Sequence, residues 1–157
     1  MTTEFSPDAV FTSRQTEQDE LLAEIYTKLL KLGYVKGNFL THVVEREQKF
    51  PTGLDTKSLG SDLPNIAIPH TEGQFVNTQL IVPVALENPV VFHNMTKPEE
   101  ALEVRFLFML LDTKPDGQAK LLAEVMNFLA RTPEKKLQIL FNLHETSSIY
   151  EFLQQNF

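Results

Sequence analysis

The 157-residue sequence contains no cysteine. That absence excludes a disulfide framework, a thiolate metal site and a cysteine nucleophile within these residues, and it fits a reducing compartment. Basic residues are outnumbered: 14 Lys and Arg against 21 Asp and Glu give a formal charge of −7. Such a balance argues against a nucleic-acid partner, whose phosphates must be covered by Lys and Arg, and against an anionic lipid surface. The six glycines are scattered singly, so there is no Gly-rich phosphate cradle and neither ATP nor a dinucleotide is expected. A Gly-x-Ser-x-Gly elbow is also missing. No apolar run approaches the roughly 18–20 residues needed to span a bilayer, the longest strongly apolar stretch being residues 106–111. The start, Met1-Thr2-Thr3-Glu4-Phe5, lacks the basic and apolar regions of a signal peptide. These features lead us to expect a soluble, cytoplasmic protein.

What is present suits one globular domain over residues 1–157. Apolar residues make up 42% and charged residues 22%, far from the composition of a disordered chain. Apolar residues at helical spacing predict a helix over 17–32, with Leu21, Leu22, Ile25, Leu29 and Leu30 inward, Thr16 and Asp19 as a capping box, and Gly33 as its stop. A second helix is predicted over 38–49, with Phe39, Leu40, Val43 and Val44 inward, ending before Pro51. After a loop over 53–64, short apolar runs at 66–68, 79–86, 90–92 and 104–111 read as strands, and residues 9–11 as an added edge strand. The last run has almost no polar alternation and is expected at the centre of the sheet. The link between 86 and 90 has hairpin length, which predicts antiparallel pairing. Helices return at 118–130, at 133–141 behind a Thr132 cap, and at 148–155. The expected fold class is α/β: a mixed sheet sandwiched between helices.

The segment Ile66-Ala67-Ile68-Pro69-His70 carries the most chemical information. Proline ends a short strand and delivers an imidazole at the rim of a rigid sheet. A neutral imidazole offers a lone pair for nucleophilic attack, general base catalysis or metal binding; on spacing alone, a loop histidine without a role is the favoured reading. In Arg46-Glu47 … Pro51-Thr52-Gly53, a helix end runs into a turn. Arg46 offers a planar fork for phosphate or carboxylate oxygens, and Thr52 and the Gly53 amide offer further donors. Taken alone, this segment reads more readily as a solvated helix end. His42 and Glu45 share a helix face without a matching ligand set, so no zinc site is expected. His42 reads as a partly buried helix residue, His93 is ambiguous at a strand end, and His144 reads as solvated.

Taken together, Arg46-Glu47 … Phe50-Pro51-Thr52-Gly53-Leu54 and Ile66-Ala67-Ile68-Pro69-His70 resemble the enzyme IIA domain of the bacterial sugar phosphotransferase system, in its fructose/mannitol branch. The downstream Val90-Val91-Phe92, the strand 104–111 and Asp116-Gly117-Gln118-Ala119-Lys120-Leu121-Leu122 agree with it. The resemblance implies that His70 accepts phosphate from the phosphocarrier protein HPr and passes it to a cysteine of an enzyme IIB. The membrane component IIC is then reached only indirectly, and neither cofactor nor metal is needed. It implies that Arg46 stabilises phosphate charge and that Glu47, Thr52 and Thr71 contribute to binding. Gln118 stands where the family often has a second histidine, as a hydrogen-bond donor without titrating charge. Gln118 also makes the chain resemble the galactitol-type branch, with galactitol or another polyol as the implied sugar. The other expectation consistent with the resemblance is a regulatory module whose phosphorylation controls a protein partner.

Overall fold

The computed structural model describes residues 3–114 and 117–157; Met1, Thr2 and Asp116, quoted above from the sequence, lie outside them. Its elements are β1 (Phe11–Ser13), α1 (Gln18–Leu32), α2 (Phe39–Lys49), β2 (Gly53–Leu54), β3 (Asn65–Ala67), a 3-10 turn (Gly73–Phe75), β4 (Leu80–His93), β5 (Ala101–Leu111), α3 (Gly117–Arg131), α4 (Glu134–Phe141) and α5 (Thr146–Asn156). The strands form a five-stranded sheet in the order β1-β4-β5-β3-β2. β1–β4 and β3–β5 run parallel, while β4–β5 and β2–β3 run antiparallel, so the sheet is mixed.

β5 is central, and its residues 106–111 are buried on both faces. Its side chains divide by the period of two that a strand imposes. Leu107, Met109 and Leu111 face α1 and α2, joining Leu21, Leu22, Ile25, Phe39 and Val43. Phe106, Phe108 and Leu110 face α3–α5, joining Leu121, Val125, Phe128, Leu137 and Leu153. Val104 belongs to the α1/α2 side although its parity says otherwise. The cause is one extra residue in β5: Asn65 pairs with Val104 but Ile66 pairs with Phe106, leaving Arg105 as a bulge that resets the alternation. Among the described residues, no helix is long and apolar enough to cross a membrane.

Several local expectations need correction. Residues 86–90 do not form a hairpin. Both flanking runs pair antiparallel with β5, so the chain never reverses there, and β4 is one strand with an irregularity between Ala85 and Val90. The antiparallel pairing is real, but it lies between β4 and β5. Gly53 and Leu54, expected in a loop, pair with Ala67 and Ile66. Gly53 lies so close to the end of β4 that a Cβ would fall 2.5 Å from the His93 carbonyl oxygen. The edge strand lies at Phe11–Ser13, slightly later than expected. Glu17 rather than Thr16 is the N-cap of α1, and it makes no side-chain capping bond, so Thr16 and Asp19 do not form a capping box. Thr132 does not cap α4 either; its hydroxyl donates to the Phe128 carbonyl within the preceding helix, and Pro133 takes the N-cap position. Leu30 is exposed, because it lies about 100° round the helix from Leu29, beyond the buried stripe. Leu40 and Val44 are only partly buried, at the margin of the same core.

Candidate functional site

β3 ends at Ala67, yet beyond Ile68 and Pro69 the chain stays attached to β5. The Leu110 amide donates to the Pro69 carbonyl at 3.0 Å, and His70 bridges to Leu110 in parallel register. His70 Nδ1 lies 2.8 Å from the Ile68 carbonyl oxygen. A carbonyl can only accept, so Nδ1 carries the proton and Nε2 keeps the lone pair. Burial holds the imidazole pKa below its ordinary value; the Ile68 carbonyl pulls it up, Arg46 pushes it further down and Glu72 opposes Arg46. The lowered pKa favours the neutral ring, in which Nε2 carries the lone pair.

His70 lines a cavity of about 320 Å³ together with Arg46, Thr71, Glu72, Gln118, Ala119 and Leu122. Three segments distant in sequence meet here: the last turn of α2, the loop after β3 and the first turn of α3. Arg46 is the one cation among the described residues lining it. Its Nη1 donates to Glu72 Oε1 at 2.8 Å, its guanidinium lies 5.4 Å from the ring centre of Phe50, and its buried Nε has no partner. Thr71 is buried, and its hydroxyl donates to the Glu72 carbonyl at 3.0 Å. Gln118 is buried in the wall, and its Nε2 donates to the Asp112 carbonyl at 3.0 Å. One of its two amide protons is thus already engaged in holding the turn after β5.

Glu47 and Thr52 are not among the lining residues. Successive helical residues point about 100° apart, so while Arg46 faces the cavity, Glu47 turns inward and is buried. It accepts the Thr52 amide at 2.7 Å and the Thr52 hydroxyl at 2.8 Å. Burial pushes the Glu47 carboxyl up to about 7, against the lowering effect of the Thr52 donors. The two side chains, expected to contribute to binding, bond to each other instead of lining the His70 cavity. Sequence reading also missed Glu72. Its signal was an acid two residues beyond the candidate histidine, which gains meaning only once Arg46 is seen beside it. His42 is half-buried and stacks on Phe75 at 3.6 Å. His93 makes its contact to the Pro98 carbonyl, and His144 is exposed. Neither lines the His70 cavity.

The family model for the phosphoenolpyruvate-dependent sugar phosphotransferase system, EIIA 2, matches residues 4–156. The chain belongs to this family. The EIIA 2 chain also resembles the transcriptional regulator ManR of Bacillus subtilis, at 28% identity over 130 residues, 82% of this chain but only 18% of that protein's length. Among solved structures it resembles the mannitol enzyme IIA of Escherichia coli, at TM-score 0.72 and 20% identity, covering 95% of this chain and 98% of that one. It likewise matches the enzyme IIA mannitol complex with phosphorylated enzyme IIB from the same organism, at TM-score 0.74 and 17% identity, covering 96% and 97%. At those identities the structural matches establish the fold, which is that of mannitol-type EIIA domains.

Proposed function

We propose that this EIIA 2 domain is a phosphoryl carrier for sugar uptake, in which Nε2 of His70 accepts phosphate from phospho-HPr and delivers it to a cysteine of an enzyme IIB. The observation that carries the reading is the 2.8 Å contact from His70 Nδ1 to the Ile68 carbonyl, on the wall of a cavity shared with Arg46. In the uptake step, the Nε2 lone pair forms the new N–P bond while the N–P bond to the donor histidine breaks, and the donor ring keeps that electron pair. The Ile68 carbonyl favours the positive charge that develops on the His70 ring, and Arg46 faces the phosphoryl oxygens. Gln118 has one amide proton left to offer them, and Thr71 closes the wall. No nucleotide or metal enters, because the donor already carries the phosphoryl group on a histidine. The onward thiol must lie outside these residues, which hold no cysteine. We place the reaction in the cytoplasm, with the membrane component reached through the enzyme IIB. The polyol, galactitol by the Gln118 resemblance, is selected by those partners.

The likeness to ManR favours a second reading, in which phosphorylation of His70 controls a regulatory partner. Incubating the chain with phospho-HPr tests both: acid-labile phosphate on the parent and none on His70→Ala is expected. Onward transfer to an enzyme IIB then separates carrier from regulator. A parent chain that takes up no phosphate would sink both readings.

A further inference from the structure

Glu47 lies beside Arg46 in sequence, yet its carboxylate is spent inside the protein. It accepts the Thr52 amide at 2.7 Å and the Thr52 hydroxyl at 2.8 Å. Thr52 offers its carbonyl to the Ile68 amide at 3.2 Å. Ile68 offers its carbonyl to Nδ1–H of His70 at 2.8 Å. Thr52 and Ile68 are each held at both amide and carbonyl, which leaves their backbone dihedrals little freedom. From this unbroken series of contacts we propose that Glu47 is a positioning residue for His70, acting through Thr52 and Ile68 to fix the Nδ1–H tautomer and the direction of Nε2.

The choice of residue supports a role beyond packing. Burial pushes Glu47 up to about 7, so a carboxyl here is costly to ionise, and among the described residues no cation is hydrogen-bonded to it. An apolar residue would fill the same space without that cost but would leave the buried Thr52 amide unpaired. The proposal rests on His70 as the acceptor, but its consequence for the ring can be read before any phosphate arrives.

The test is nitrogen-15 NMR of the His70 imidazole in the unphosphorylated chain. The parent should show a protonated Nδ1 and an unprotonated Nε2. In Glu47→Ala the two resonances should move toward each other as the tautomers mix, and phosphate uptake from phospho-HPr should slow at least tenfold. Glu47→Gln keeps an acceptor oxygen for Thr52 and should restore both. Thr52→Val, which removes only the hydroxyl, should move the resonances in the same sense by less. A folded Glu47→Ala with parent-like resonances overturns the proposal; if that variant does not fold, unchanged resonances in Thr52→Val do so. Failure of the parent to accept phosphate would overturn the acceptor reading and leave the tautomer measurement standing.

Discussion

Arg46 donates from Nη1 to Glu72 Oε1 at 2.8 Å, so the cation lining the His70 cavity is already paired with a carboxylate on the same wall. Under the proposed carrier role, a phosphoryl group on His70 shares this guanidinium with Glu72, which occupies Nη1. The pair is partly exposed, with Glu72 at 57% side-chain exposure, which keeps it weak enough to exchange.

Replacing Glu72 should release Arg46. An exposed ion pair is worth about 0.2–1 kcal/mol, so Glu72→Gln should speed phosphate uptake by roughly 1.5–5-fold. Single-turnover uptake from phospho-HPr measures it. A slower variant would mean that Glu72 orients Arg46 rather than competing for it.

Removing either member of the proposed acceptor pair should have different consequences. His70→Ala should abolish uptake while circular dichroism shows a folded protein, since a rim side chain adds little to the core. Arg46→Ala keeps the nucleophile and loses a charge-assisted contact of roughly 1.5–3 kcal/mol, which slows transfer by roughly 10–150-fold. His93→Gln and His144→Gln, outside the cavity, should behave as the parent does. Equal uptake by folded His70→Ala would move the acceptor to another histidine.

Glu47 makes stability depend on pH with a definite sign. Its carboxyl is pushed from 4.5 up to about 7 in the folded chain. Between those values the folded state keeps a proton that the unfolded state has released, so stability falls as pH rises across the window, by roughly 3 kcal/mol in total. Glu47→Gln should flatten that segment of the curve. Urea unfolding of both proteins from pH 4 to pH 8 measures the difference, and parallel curves would contradict the assignment.

Gln118→His should be tolerated. The imidazole can still donate one hydrogen bond toward the Asp112 carbonyl now held by the Gln118 amide, and the acceptor is untouched. Uptake should change by less than tenfold, about 1.4 kcal/mol. The variant should also gain a pH dependence near neutrality, because histidine titrates there and glutamine does not. A loss of more than tenfold would show that an imidazole cannot replace the contact the Gln118 amide offers to the phosphoryl group.

Much of this protein was determined by its sequence alone. Uninterrupted apolar residues at 106–111 required a strand covered on both faces, and β5 lies inside the sheet, where helices on either side hide both sets of side chains from water. Gly33 required the stop of α1, where it takes a left-handed conformation with φ 81° that other residues rarely adopt. Pro69 required a strand to stop before His70, and β3 ends at Ala67. Those are local consequences of backbone chemistry and burial, and they are written in adjacent residues. Tertiary structure alone decided the partners. Whether residues 86–90 turned or ran on depended on β5, which pairs with both sides of the irregularity. Whether Glu47 faced the His70 cavity or Thr52 depended on a rotation of about 100° from Arg46 together with the path of the turn that follows. Arg46, Glu72 and Gln118 share one cavity because the sheet sets α2, the loop after β3 and α3 around one rim. Contacts between such distant segments are fixed by how the layers pack, and packing is a property of the whole chain.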